Sequence, residues 1–102
     1  MKKPNYISHY LVLKDLIEGI DPRQYNDIIR YLTSRIENIK CDLKEHGLMF
    51  DETVVAYSKY SIYKPYVLLS DDENMQRAKT LLNTYHTRAV EMFLNRKRDI
   101  NL

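Results

Sequence analysis

The sequence predicts a single α+β domain in which helices flank a small β-hairpin. Three observations lead to this prediction: apolar residues recur at helical spacing near both ends, the middle is rich in β-branched and aromatic residues, and each of the two glycines follows a helical stretch. A chain of 102 residues, 44% hydrophobic and 29% charged, has the composition of one compact domain. We therefore expect one domain over residues 1–102, without linkers or repeats.

The first predicted helix spans residues 6–18. Its apolar residues follow steps of three and four, as in Tyr6, Tyr10, Leu13 and Ile17. Gly19 comes next, where a left-handed C-terminal cap is expected. Another helix begins at Asp21-Pro22-Arg23-Gln24, because Asp21 can cap free amides, Pro22 fits a first turn and Gln24 completes a capping box.

Residues 22–46 carry one apolar stripe that ends before Gly47. The stripe consists of Tyr25, Ile28, Ile29, Leu32, Ile36, Ile39 and Leu43. Two interpretations remain open. The stripe keeps its angular phase across residues 32–34, which favours a single helix. Ser34 followed by Glu37 is itself a capping-box pattern, which favours a separate helix that begins there.

The second half of the chain predicts a β-hairpin over residues 48–69 and a helix over residues 71–98. Pro65 cannot donate to a β-ladder, so the second strand lies at an edge or carries a bulge. Ser70 and Glu73 are predicted to cap the last helix. Its apolar stripe is longer than so small a domain can cover, which predicts a homodimer. The expected dimer interface is Leu81, Leu82, Tyr85, Ala89, Met92 and Phe93.

The sequence contains no catalytic signature, and we expect a protein without enzymatic activity, cofactor or metal. The three histidines lie in separate elements without zinc-ligand spacing. A metal- or thiol-dependent enzyme is a distant alternative that depends on Cys41. Because Cys41 is the only cysteine, an internal disulfide is excluded, and a lone thiol fits a reducing compartment. With no long apolar segment or signal-type start, we expect a cytoplasmic protein without a membrane segment.

The distribution of charge is more informative than the net charge of +2. Residues 74–98 hold six bases and one acid, although cations near a helix C-terminus also compensate its dipole. Residues 53–70 contain no acid at all. In that segment the positive charges come from Lys59 and Lys64, which suit the phosphates of a nucleic acid. Tyr60 adds a hydroxyl donor and a ring that can rest on a sugar or a base.

Residues 30–45 offer a second surface suited to nucleic acid. The face opposite the apolar stripe presents Arg30, Ser34, Glu37, Asn38, Cys41 and Glu45, with Arg35, Lys40 and Lys44 beside it. Arginine and asparagine read guanine and adenine through paired hydrogen bonds in the major groove, while serine and lysine hold phosphates. The two glutamates oppose such contacts.

The order of elements, with Ser34-Arg35-Ile36 and Asp42-Leu43-Lys44 leading to Gly47, resembles small winged helix-turn-helix proteins of the phage type. The resemblance covers roughly residues 10–70. It implies a recognition helix followed directly by a β-hairpin wing. In this arrangement the groove-facing residues would be Arg30, Ser34, Arg35 and Asn38, and the wing residues would be Lys59, Tyr60 and Lys64.

These features predict a small viral or mobile-element transcriptional regulator that binds double-stranded DNA as a dimer. The sequence departs from the family pattern because no glycine or clear turn separates the second helix from the third. If residues 22–46 form one straight helix, the groove-reading geometry fails. The chain would then resemble a helical interaction protein, such as a small phage inhibitor or adaptor that binds a host protein or nucleoprotein complex.

Overall fold

The computed structural model describes residues 6–25, 28–57 and 59–100, with side chains at residues 6–23, 30–57 and 59–95. The helices are α1 (Tyr6–Ile17), α2 (Ile28–Tyr31), α3 (Ile36–Glu45) and α4 (Asp72–Ile100), with a 3-10 turn at Pro22–Tyr25. The strands are β1 (Ala56–Tyr57) and β2 (Ile62–Tyr63). The predicted α+β class, with a hairpin and a long C-terminal helix, is confirmed.

Helices α1 and α4 form the frame of the domain. They run antiparallel, since Tyr6 at the start of α1 lies against Tyr85 with ring centroids 6.2 Å apart, and Ile17 at its end borders the same small cavity as Met75. Helix α3 and the extended segments before and after the hairpin pack on this frame. The buried apolar residues are Val12, Leu13, Leu16, Tyr31, Ile36, Ile39, Leu43, Leu48, Phe50, Tyr66, Leu68, Ala78 and Tyr85.

Both glycines end a helix as predicted. Gly19 has a φ of 81° and Gly47 a φ of 92°, a left-handed conformation that costs glycine little. After each glycine the next amide donates back across the last turn, Ile20 N to the Asp15 carbonyl at 2.8 Å and Leu48 N to the Leu43 carbonyl at 3.1 Å. This is the Schellman arrangement, which satisfies carbonyls at the helix end and turns the chain sharply.

The segment 22–46 is broken into separate helices. Leu32 adopts a φ of 57°, rare for a residue with a side chain, and its side chain is 54% exposed, whereas its neighbour Tyr31 is fully buried. The predicted stripe, which placed Leu32 inside, is therefore wrong at this position. The predicted Ser34 cap is also absent: α3 has no side-chain cap, and the Arg35 amide donates to the Thr33 hydroxyl at 3.1 Å.

The hairpin is shorter than the predicted strands over residues 48–69. Ala56 pairs with Tyr63 and Tyr57 with Ile62, and an isolated bridge joins Phe50 to Leu68. Pro65 stands between these two paired regions, where no ladder hydrogen bond is required of it. Consequently the tip of the hairpin projects from the body on a narrow, irregular base.

The buried Asn74 on α4 fastens that base. Its amide nitrogen donates to the carbonyls of Met49 and Leu69, and its carbonyl oxygen accepts from the Met49 amide, all at 2.8 Å. The cap of α4 is Asp71 rather than the predicted Ser70, because the Asp71 carboxylate accepts from the amides of Glu73 and Asn74.

Candidate nucleic-acid interface

Helix α3 lies on the surface with one face exposed, because its apolar residues Ile36, Ile39 and Leu43 are buried beneath it. The exposed residues along α3 and just before it are Ser34, Arg35, Glu37, Asn38, Cys41, Lys44 and Glu45. Ser34, Arg35 and Asn38 thus share the N-terminal end of a surface helix, where side chains and amides can meet phosphates and base edges.

Arg30 is held by the protein itself. Its Nη2 and Nε each lie 2.9 Å from Oδ2 of Asp15, and the Tyr31 hydroxyl donates to the same oxygen at 2.8 Å. Hydrogen bonds to the Asp15 carboxylate raise the pKa of Arg30, so its charge is fixed. Arg30 therefore anchors α2 to α1, and the structure does not bring it to the exposed face of α3 as the sequence predicted.

Lys40 is also turned inward, across the base of the hairpin. Its Nζ lies 4.6 Å from the ring centroid of Tyr66 and 5.1 Å from that of Phe50. Its charge is balanced by the Glu52 carboxylate at 3.5 Å, which Lys44 approaches at 3.8 Å. Lys40 thus joins α3 to the hairpin, and only Lys44 of this pair stays open enough to meet a phosphate.

The hairpin carries the remaining predicted residues, Lys59, Tyr60 and Lys64, and all three are exposed. Lys59 Nζ lies 5.6 Å from the ring centroid of Tyr60. The Lys64 carbonyl accepts a 2.7 Å hydrogen bond from Nη1 of Arg23. The Arg23 guanidinium also lies over the rings of Tyr63 and Tyr66, at 5.5 and 5.4 Å from their centroids.

Arg23 and Ile62 are not among the residues that the sequence predicts for the site, and Tyr57 is predicted only as one of the tyrosines of the acid-free segment. Arg23 was interpreted only as part of a helix start, yet it brings an exposed cation beside the second strand. Tyr57 and Ile62 were assigned to strands without a direction, and both point to solvent. In a longer strand, alternating exposed and covered residues would identify the side chains that face solvent. Strands of two residues are too short to show such an alternation.

The structure groups two of the three histidines around Tyr85, away from this surface. His9 Nε2 and Asp42 Oδ2 lie 3.0 Å apart, which joins α1 to α3, and the rings of His9 and His46 lie 5.2 and 6.4 Å from that of Tyr85. Among the described residues, no three His, Cys, Asp or Glu side chains are close enough together to hold a metal ion.

The predicted dimer residues divide into two groups. Tyr85 is buried in its own chain, and Leu81 and Leu82 pack against the same core. Ala89 and Met92 are half-buried, and Phe93 is 63% exposed. Val90 and Leu94, which the sequence analysis did not include, are exposed beside Phe93. The uncovered apolar surface of α4 therefore lies further toward the C-terminus than predicted.

No protein-family model, curated protein or solved structure matches this chain. None of the helices in the described part of the chain combines the length and the apolar composition that crossing a bilayer requires.

Proposed function

We propose that this protein binds double-stranded DNA without catalysing a reaction, with α3 in the major groove and the β1–β2 hairpin as a wing. The observation that carries this proposal is the break at Leu32, which makes α3 a separate surface helix, with the β1–β2 hairpin as the next element along the chain. A helix that ends in a sharp turn before a hairpin is the arrangement that a winged helix-turn-helix protein needs.

The positions of charge assign different roles to the residues. Ser34, Arg35 and Asn38 at the start of α3 are the exposed groups suited to base edges and adjacent phosphates. Glu37, in the first turn of that helix, and Glu45, at its end, oppose phosphate contacts at their own positions. Phosphate contacts are therefore assigned to Arg35, Lys44, Lys59 and Lys64, together with Arg23 beside the wing. Arg30 and Lys40 act by positioning α2 and the hairpin.

In this proposal the protein is a small viral or mobile-element transcriptional regulator that acts as a dimer. The occupant of the exposed apolar end of α4 is a second copy of the same helix. Five of the six residues from Ala89 to Leu94 are apolar, so this part of α4 is apolar on more than the side that faces its own core. A two-fold pair would also place two recognition helices on one duplex.

The test is fluorescence anisotropy with a labelled random-sequence duplex at two salt concentrations. Binding should weaken steeply as salt rises, because several phosphate contacts release counterions. Arg35→Ala should weaken binding by about tenfold, in line with the loss of one charged contact worth roughly 1–3 kcal/mol. Lys79→Ala is the matched control, since Lys79 is an exposed base on α4 away from the hairpin.

Full affinity in Arg35→Ala would contradict the assignment of α3 as the recognition helix. No binding to duplex at low salt would contradict the function itself. The second candidate, a small inhibitor or adaptor that binds a host protein, would then be favoured by the exposed apolar side chains of Val90, Phe93 and Leu94.

A further inference from the structure

The outer side of the hairpin exposes an unusual amount of apolar and aromatic surface for so small a protein. Tyr57 is 78% exposed, Ile62 66% and Tyr60 87%, and Val55 is also exposed. Monomeric proteins rarely leave several large apolar side chains together in water unless they meet a partner. We call Tyr57, Tyr60 and Ile62, with Lys59 and Lys64, the outer wing surface.

The strand register places Tyr57 and Ile62 side by side. They are directly paired across the two strands, and paired residues point to the same side of a sheet. The neighbouring pair, Ala56 and Tyr63, points to the other side, where the Arg23 guanidinium covers Tyr63. The hairpin therefore has one side covered by its own chain and one side that is open.

The charges around the outer wing surface indicate which class of partner it can bind. Lys59 and Lys64 are exposed, and the sequence from residue 53 to residue 70 contains no acid. The preceding acids are engaged elsewhere: Asp51 accepts from the amide and hydroxyl of Thr53, and Glu52 meets Lys40 and Lys44. Exposed rings with cations and no acids suit a nucleic acid, whose bases offer flat faces beside phosphates.

We propose that the outer wing surface stacks on unpaired bases, so that the protein prefers DNA in which a duplex adjoins a single strand. Bases inside an intact duplex are already stacked on one another, so a ring on a protein surface reaches a base face only where pairing has ended or opened. The inference rests on the proposed DNA-binding function and narrows it: α3 holds the duplex arm, and Tyr57 and Tyr60 hold the unpaired arm.

The experiment compares three labelled DNAs by anisotropy at one salt concentration: a blunt duplex, the same duplex with an unpaired arm, and the unpaired strand alone. We expect the wild-type protein to bind the duplex with an unpaired arm about tenfold more tightly than the blunt duplex, as one stacked base would provide. Tyr60→Ala should remove this preference, so that the ratio of the two affinities, partly unpaired duplex to blunt duplex, falls to about one. Tyr60→Phe keeps the ring and should keep the preference.

Lys44→Ala is the control on α3, because loss of a phosphate contact to the duplex arm should weaken binding to both duplexes alike and leave the ratio of their affinities unchanged. Circular dichroism of each variant checks that the fold is retained, and Tyr57→Ala repeats the test at a second ring. Equal wild-type affinity for blunt and partly unpaired duplex would overturn the inference and leave duplex binding intact. Equal weakening of all three DNAs by Tyr60→Ala would also overturn it.

Failure of the proposed function gives a different pattern. If the protein binds the single strand but no blunt duplex, the stacking surface is supported and the duplex-binding role of α3 is contradicted. If it binds none of the three DNAs, both are contradicted, and a protein partner becomes the occupant of the outer wing surface.

Discussion

At the scale of single residues, the cluster of Asp15, Arg30 and Tyr31 decides where the chain turns. Arg30 and Tyr31, which are adjacent on α2, each donate a hydrogen bond to the same carboxylate oxygen of Asp15. The Asp15 carboxylate is itself buried. If Tyr31 left the core, this carboxylate would lose its buried hydrogen-bond donor. Tyr31 is thereby held inside, and Leu32 is turned outward with a left-handed backbone.

Asp15→Ala should lower the free energy of unfolding by about 3 kcal/mol. The substitution removes the acceptor of the buried Tyr31 hydroxyl, and the loss of a hydrogen bond from a buried donor to a carboxylate costs this much. Urea denaturation measures the loss. Glu18→Ala is the control, since its ion pair with Lys14 at 3.9 Å is exposed and contributes little. An equal effect of both substitutions would show that the cluster has no special role.

Two buried tyrosines should make the protein sensitive to alkali. Burial, with the hydrogen bond to Asp15, raises the pKa of Tyr31 to about 12, and burial near Asp42 raises that of Tyr85 to about 12, from the usual 10.0. Above pH 10 the unfolded chain loses these protons while the folded chain keeps them. Stability is therefore full below pH 10 and falls between pH 10 and about 12, by up to about 1.4 kcal/mol per pH unit for each tyrosine.

The Tyr85→Phe variant separates the contribution of Tyr85 to this alkaline loss of stability from that of Tyr31. The Tyr85 hydroxyl is buried without a hydrogen-bond partner among the described residues, so its removal should not destabilise the fold at neutral pH. Urea unfolding of this variant at several pH values above 10 should show a smaller loss of stability per pH unit than the wild type, with the remainder due to Tyr31 and to Tyr66, whose pKa burial also raises. An unchanged slope would mean that Tyr85 is not protected from ionisation by the fold.

At the scale of the elements, Asn74 connects α4 to the hairpin. Its three hydrogen bonds hold Met49 and Leu69, which face each other next to the Phe50–Leu68 bridge. The Lys40 ammonium lies over Phe50 and Tyr66 and thereby ties α3 to the same base. The direction in which the wing projects is therefore set by polar contacts from two helices, because the strands themselves are too short to set it.

Asn74→Ala should destabilise the protein by about 2–3 kcal/mol. The Met49 amide and the Leu69 carbonyl would lose the partner that Asn74 supplies, while the Met49 carbonyl keeps the Leu69 amide at 3.0 Å, and unsatisfied groups of this kind carry a large desolvation cost. Denaturation measures the stability, and hydrogen exchange should show faster exchange at Met49, whose amide donates to Asn74. Gln76→Ala, at an exposed position on the same helix, is expected to be nearly neutral. Unchanged exchange at Met49 would contradict the assigned role of Asn74.

At the scale of the whole molecule, α4 is longer than the body that it supports. Its 29 residues correspond to about 43 Å of helix, and the longest dimension of the molecule is 52 Å. The start of α1 lies against Tyr85, so α4 continues past α1 toward Ile100. The apolar residues of that extension are the basis for the proposed homodimer.

Phe93→Asp should convert a dimer into a monomer, since it places a charge in the centre of the exposed apolar patch. Sedimentation at micromolar concentrations, without DNA, measures the change. Thr87→Asp introduces the same charge at an exposed polar position one to two turns earlier and should leave the dimer intact. A monomeric wild-type protein would contradict the proposal, as would a dimer that survives Phe93→Asp.

Much of the architecture was predictable because its signals are local. Gly19 and Gly47 ended their helices as predicted, and the acid-rich start and apolar spacing of the last helix identified α4 within two residues at each end. The candidate interface was only partly predictable. Ser34, Arg35, Asn38, Lys44, Lys59, Tyr60 and Lys64 are exposed as expected, but Arg30 and Lys40 are held by partners far away in sequence, Asp15 and Glu52.

The sequence by itself determined the fold class, the order of the elements and the acid-free hairpin, since these follow from spacing, propensity and composition along the chain. Only the tertiary structure decided that residues 22–46 break at Leu32, that Asn74 fastens the hairpin, and that Tyr57 and Ile62 face outward. Each of these features depends on contacts between residues that are far apart in the sequence or on a strand too short to carry a pattern. A buried polar group must find its partner wherever the fold brings one, and strands of two residues have too little local pattern to fix which side is covered.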